Sequence, residues 1–246
     1  MTYSLALVGM SMDYKEYYAG KIQDSETSEI SDLLGYEMRL GYLFNRGRKS
    51  CDEISMNVMM LGGKSSYKGS LIDSGKPKGS WISTTQNQFT DAELAFAHTY
   101  HYQNDLHLIY GLGLGFHAWD RKLSSTQEEL YQWFSLRPMI GANADIERFN
   151  LGVVVQYQYG FDRTMSSTNP VLDVTLGGAD IFKVSFPIKY SYSDEVEFFA
   201  ETTFSKQEIK ESNHVRVVIN NRIYEVLEPD STNYSSYLKL GATLKF

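Results

Sequence analysis

The last ten residues, Tyr237-Leu238-Lys239-Leu240-Gly241-Ala242-Thr243-Leu244-Lys245-Phe246, constrain this chain more than any other stretch. Successive side chains of an extended segment point to opposite faces. Phe246, Leu244, Ala242, Leu240 and Leu238 therefore share one face, and Lys245, Thr243, Gly241, Lys239 and Tyr237 share the other. Two environments suit such a strand. Lipid can lie on the apolar side with a polar lumen on the other, or a soluble sandwich can bury the apolar side and wet the polar one.

The same alternation recurs along the chain and favours lipid. A first strand is expected over about 3–18, with an irregular middle at Val8-Gly9-Met10-Ser11-Met12 that suggests a bulge. A polar connection over 20–32 leads to a second strand with Tyr36, Met38, Leu40, Tyr42 and Phe44 on one face. A basic turn at 45–49 returns the chain to a third strand beginning near Glu53, and a Gly, Ser and Lys-rich connection spans about 68–87. A fourth strand sets Leu94, Phe96, Tyr100 and Tyr102 outward. In the fifth, Leu108, Tyr110, Leu112, Leu114 and Phe116 alternate with Gly111, Gly113, Gly115 and His117. Glycine at every second position weakens a strand unless the inner face has to admit bulky neighbours. Strands six and seven meet at the acidic turn 145–148, with Pro138 pointing to an irregularity in strand six. Strand eight starts near Val171, strand nine runs from Val196 to about Ser205, and a connection over 213–232 precedes the closing strand.

Ten strands with turns and longer connections alternating describe an all-β fold, a ten-stranded antiparallel transmembrane β-barrel with short periplasmic turns and long extracellular loops. One barrel domain accounts for residues 1–246. With 18 Tyr and 13 Phe, a soluble fold would have to pack more rings into one core than it can hold, whereas membrane girdles absorb them. No run of eighteen apolar residues offers a transmembrane helix. The closing aromatic resembles the targeting signal of bacterial outer-membrane barrels, and the sequence is expected to begin at the mature protein.

A ten-stranded lumen is too narrow for a porin channel and should be filled by side chains. Its expected charged network comprises Glu37, Arg39, Glu93, Arg137, Lys183, Lys189, Glu197, Glu201 and Lys239. Buried charges are tolerable only when paired, so cross-strand partners such as Lys189 and Glu197 are expected. A hydrated structural plug is the simpler role, and a proton or ion path the other.

Several stretches resemble the omptins, outer-membrane endopeptidases of the aspartate/histidine type. Arg137-Pro138-Met139-Ile140-Gly141 with Phe149-Asn150-Leu151-Gly152 is similar to an omptin hairpin. Phe199-Ala200-Glu201-Thr202-Thr203-Phe204 is similar to the penultimate strand of that family, and Tyr110-Gly111-Leu112-Gly113-Leu114 to its Gly-rich strand. Asp73-Ser74-Gly75-Lys76-Pro77, followed by Trp81, resembles its second loop. The resemblance implies a catalytic Asp pair in the second loop and an Asp-x-His pair in the fourth. Asp73 matches one member of the first pair, with Ser70 or Leu71 near the position of the other. The fourth loop offers Asp162 and Asp173 but no histidine, which leaves the general base missing. His214, in the fifth loop, is the only substitute among loop histidines. His117 with Trp119, Asp120 and Arg121 suggests a loop-side cleft or, more simply, a loop anchor.

Other chemistries are disfavoured. Cys51 is the sole cysteine and has no neighbouring His or Cys, so neither a disulfide nor a metal site is expected. A net charge of -7 speaks against nucleic acid. No cofactor is expected beyond contact with lipopolysaccharide. The expected function is that of a monomeric outer-membrane barrel of omptin-like architecture without proteolysis, acting through its loops in surface recognition, adhesion or envelope structure. Its partners would be outer-membrane lipid, lipopolysaccharide and a host or cell-surface ligand, with both termini periplasmic. The alternatives are a surface endopeptidase with a divergent site and a narrow channel for small or hydrophobic solutes.

Overall fold

A strand that faces lipid along part of its length and water along the rest must reverse its polarity pattern midway, and β1 (Thr2–Tyr18) shows the reversal. Near its start Leu5 and Leu7 face outward, 49% and 75% exposed, and Ser4 faces Thr243 across the lumen-side ladder. Further along, Met10, Met12 and Tyr14 are buried inside, and Ser11, Asp13 and Lys15 take the outer face. The irregular middle of the strand is thus mainly the point where its surroundings change from lipid to water. The computed structural model describes residues 1–45, 47, 49–69, 80–103, 105–219 and 222–246.

β1 joins β2 (Lys21–Phe44), β3 (Ser50–Gly69), β4 (Trp81–His101), β5 (Leu106–Lys122), β6 (Glu128–Ile146), β7 (Phe149–Thr168), β8 (Val171–Ser191), β9 (Val196–Ser212) and β12 (Asp230–Lys245) in one closed antiparallel barrel. β10 (Val215–Ile219) and β11 (Arg222–Val226) form a separate hairpin. Closure is made by β1 and β12, in register from Thr2↔Lys245 to Tyr17↔Asp230, so the alternating C-terminal strand is the seam. The barrel sheet thereby has no open edge.

The strands are longer than the alternation of outward apolar residues suggests. The connection expected over 20–32 is a two-residue turn, Ala19-Gly20, with both φ positive at 50° and 74°, followed directly by β2. Likewise the connection expected over 68–87 gives up Lys68 and Gly69 to β3 and residues 81–87 to β4, and that over 213–232 contains the strands β10 and β11 and the start of β12. Over 21–32 and 81–87 both faces are largely polar, with Glu26, Thr85 and Asn87 inside and Ile22, Ile30 and Ile82 exposed, so the apolar-out alternation of the lipid-facing segments is absent there. Two bulges lie where the pattern turns over. Residues 29–32 of β2 stand against the single residue Ser11 between the pairs Met10↔Leu33 and Met12↔Ser28, an excess of three, and β7 bulges at Asp162, φ 51°, between its pairs with Gln132 and Phe134. Each bulge switches which sequence parity faces inward, from Leu33 to Glu26 in β2 and from Gln158 to Met165 in β7. Pro138 leaves a gap in the β6–β7 pairs but no register shift, and its pairing with Leu112 persists.

Two zones result. Around the short-turn half runs an outward apolar belt that includes Leu40, Ile54, Leu94, Leu112, Ile140, Val153 and Leu240. Rings border it. Phe116, Phe134 and Phe161 follow one another at 5.4 and 6.2 Å on the loop side, and Phe149–Tyr190 and Tyr192–Phe198 lie at the short-turn end. Beyond the belt the barrel projects as a water-facing stalk whose interior is an apolar core of Met12, Leu61, Phe89, Trp119, Tyr131, Trp133, Met165, Leu176, Ile181 and Ile209, among others. Trp119 stacks between Phe89 and Tyr131 at 5.3 Å from each.

Candidate functional site

Inside the belt the lumen is charged. Arg137 donates to both carboxylate oxygens of Asp91 at 2.7 and 3.0 Å and lies 3.4 Å from Glu93. Lys239 bridges Glu37 and Glu201 at 2.8 and 3.0 Å, and Arg39 reaches Glu53 at 3.0 Å. Glu197 sits between Lys245, at 2.9 Å, and Lys189, at 3.8 Å. Lys183 also lines this lumen, near Asp91 and Glu93. Glu37, Arg39, Glu53, Asp91, Glu93, Lys183, Lys189, Glu201 and Lys239 line a cavity of about 350 Å³. Side-chain exposure falls along it from 43% at Lys189, near the short turns, to 15% at Lys239 and 7% at Asp91, behind which lies the fully buried Arg137. The gradient describes a funnel whose exposed end lies toward the short turns and whose buried end lies toward the apolar core.

The glycines of β5 make this network possible. A side chain at Gly115 would collide with the guanidinium of Arg137, and one at Gly113 with the carboxylate of Glu93. At the funnel's apex His117 stacks on Trp133 at 4.5 Å and faces Asp91, Nδ1 to Oδ2 3.2 Å, with its Nε2 buried and unpaired among the described residues.

The densest polar cluster lies in the stalk, above the core. Arg121, 1% exposed, donates to Glu16 at 3.1 Å, Glu26 at 3.0 Å and Glu129 at 3.0 Å, and its guanidinium lies 4.5 Å from the Tyr14 ring. Tyr131 donates to Glu228 at 2.5 Å and lies 3.3 Å from Glu129, and Tyr14 donates to Glu16 at 2.8 Å. Glu26 is further held by Ser65 and by Asn87, which in turn accepts from Trp119 at 2.8 Å. Four carboxylates thus surround one guanidinium. Burial and the Glu16 charge push Glu129 up to about 7 despite Arg121, and burial with the Glu16 and Glu129 charges holds Glu228 well above the usual carboxylate range. Burial likewise raises Tyr14 and Tyr131. For Arg121, burial opposes the charge, but Tyr14, Glu26, Tyr131 and Glu129 outweigh it.

The loop candidates are not gathered into a site. Asp73, with Ser70 and Leu71, lies outside the described residues. Asp162 and Asp173 are exposed on the outer wall. His214 is exposed at the root of the β10–β11 hairpin, 3.9 Å from Glu225, and no hydrogen bond or ion pair joins it to either aspartate among the described residues. The row His117, Trp119, Arg121 turns inward as core and Asp120 turns outward. Glu16, Glu26, Asp91, Glu129 and Glu228 escaped sequence reasoning. The signal for most of them was parity, since Glu16 continues the inward row Met10, Met12, Tyr14, and Arg121 continues the glycine row of β5. Among the described residues no group of three or more His, Cys, Asp or Glu is arranged to hold a metal ion.

A closed ten-stranded barrel with an apolar belt bordered by rings belongs structurally to the transmembrane barrels. The fold is similar to that of the outer membrane protease OmpT from Escherichia coli, with a TM-score of 0.56, 12% identity, and coverage of 100% of this chain and 96% of that one. It is also similar to the transport unit of the autotransporter AIDA-I from Escherichia coli, with a TM-score of 0.50, 13% identity, and coverage of 100% and 91%. No family model matches the sequence, and no curated protein matches it. The likeness is therefore one of outer-membrane barrel architecture, omptin-like in plan.

Proposed function

We propose that the protein is a non-conducting, non-proteolytic barrel of the bacterial outer membrane that carries a rigid recognition surface on its projecting half, for adhesion, surface recognition or envelope structure. The observation that carries this reading is the apolar core that fills the stalk from Met12 to Ile209. A pore needs an open path, and a core of this kind leaves none. The same core stiffens the stalk and holds its tip, where Ile82, Val171, Val218 and Ile223 are 71% to 80% exposed. Short turns and both termini share one end, Met1 N donating to Phe246 O at 3.0 Å, and in outer-membrane barrels that end is periplasmic. The tip then faces outward, among lipopolysaccharide.

Refolded protein in planar bilayers should stay electrically silent, and steady single-channel steps would overturn the non-conducting reading. Nanodiscs carrying the barrel should bind to a panel of glycans and matrix proteins in a manner that V218D/I223D weakens at least tenfold. Binding indifferent to that change would remove the tip from the proposal.

Likeness to OmpT favours one rival, an endopeptidase with a divergent site. Incubation in lipopolysaccharide with a basic fluorogenic peptide separates the two readings. Cleavage abolished by Asp73→Ala would establish the protease, and no cleavage is expected.

A further inference from the structure

The β10–β11 hairpin is attached to the barrel in two chemically different ways. Its root is held by neutral bonds: Asn213 N donates to Thr175 O at 3.1 Å, Thr175 N to the Asn213 side chain at 2.7 Å, and Ser212 N to Glu228 O at 3.0 Å. Its apolar side rests on the stalk interior, with Val217 buried and Val215 packed against the core. Glu228, just after β11, is the side chain by which this segment enters the Arg121 cluster, and it is 6% exposed.

Charges face Glu228 from every neighbouring strand. β1 brings Tyr14 and Glu16, β2 brings Glu26, β5 brings Arg121, and β6 brings Glu129 and Tyr131. Tyr67 of β3 lies beside them, within the field of Glu16 and Arg121. Arg121 reaches Glu16, Glu26 and Glu129 but makes no ion pair with Glu228 among the described residues. With all four carboxylates ionised, one cation would face four anions out of water, which the site cannot hold. Glu228 is the one of the four that lies between β11 and β12 rather than on a barrel strand, so it relieves the repulsion by moving out to water, at the cost of the two bonds that tie its backbone to Ser212 (Glu228 N to Ser212 Oγ 2.8 Å, Ser212 N to Glu228 O 3.0 Å).

We propose that Glu228 is a proton-controlled latch: hairpin β10–β11 stays docked on the loop-side mouth while the Glu228–Glu129 pair holds protons, and swings off when they are lost. The device adds a moving part to the stalk and does not depend on the recognition reading. Acid favours the closed form. At alkaline pH the opened hairpin uncovers Val215, Val217 and the apolar top of the core.

Hydrogen exchange of the full chain in liposomes, corrected for the intrinsic pH dependence of amide exchange, reads the latch directly. Peptides covering Val215–Ile219 and Arg222–Val226 should exchange at least tenfold faster at pH 8.5 than at pH 5, with β5 and β6 unchanged. In Glu228→Gln, which keeps the shape and the bond from Tyr131 without the charge, the hairpin should be as protected at pH 8.5 as at pH 5. Equal wild-type exchange at both pH values, or an undiminished pH effect in Glu228→Gln, would overturn the proposal. Should that variant fail to fold, Glu129→Gln decides: it removes the neighbouring charge and should reduce the alkaline acceleration at least threefold, and an unreduced acceleration would overturn the latch.

Discussion

Arg121 is the single residue on which the stalk interior depends most. It is the cation among Glu16, Glu26 and Glu129, and its guanidinium also sits against the rings of Tyr14 and Trp119 at 4.5 and 4.9 Å. Removing one partner of a buried charge set leaves the others uncompensated, at about 3–5 kcal/mol. Arg121→Met should therefore lower stability by about that much near pH 8, and by less near pH 5, where the orphaned carboxylates can protonate. Urea unfolding at the two pH values measures both. The wild type should show a milder trend of the same sign. Glu129 holds its proton more tightly folded, at about 7, than unfolded, at about 4.5, so its contribution to stability is fully present below 4.5 and is lost as pH rises to about 7.

At the scale of one element, β5 explains why an apparently poor strand is necessary. Gly113 and Gly115 weaken it locally, but they leave room for Glu93 and Arg137 from the flanking strands. Gly115→Val would displace the Arg137 guanidinium from Asp91, adding an unpaired buried charge to an overpacking cost of about 1–3 kcal/mol. A drop in the heat-induced mobility transition on gels should report it, and Ser11→Val, on the half-buried outer wall of β1, should leave that transition in place. β8 makes the complementary case inside the stalk. Leu176, 1% exposed, belongs to the sealing core, and Leu176→Ala should cost about 2–5 kcal/mol by transfer and cavity terms.

Across the whole molecule, exposure means opposite things in the two zones. Ile140 is 64% exposed in the middle of the belt, and Ile82 is 76% exposed near the tip. Arginine at a lipid-facing midplane position costs about 2–4 kcal/mol, whereas arginine on a wet wall costs little. Ile140→Arg should therefore lose about that much folding free energy in liposomes, and Ile82→Arg should lose close to none. Equal losses would mean that the belt has been drawn at the wrong height.

How much of this was legible from residues follows from the same two zones. Alternation at Tyr36 to Phe44, Leu108 to Phe116 and Leu238 to Phe246 determined the strands, their outward faces and the ten-strand plan, because a period of two with lipid on one side is a local property of the chain. That rule also failed locally. Residues 21–32 and 81–87 resemble connections in sequence because Glu26, Thr85 and Asn87 face inward and mostly polar side chains face outward, so neither face carries an apolar stripe. The lumenal charges could be placed inward by parity, but their partners could not, since Lys239 with Glu37 and Glu201, or Arg137 with Asp91, depends on the register between strands far apart in sequence. The Arg121 cluster shows the limit most plainly. Glu16, Glu26, Arg121, Glu129 and Glu228 carry no common motif or spacing. Only closure of the barrel, fixed by the β1–β12 seam, brings them to one level and forces a proton or a movement upon them.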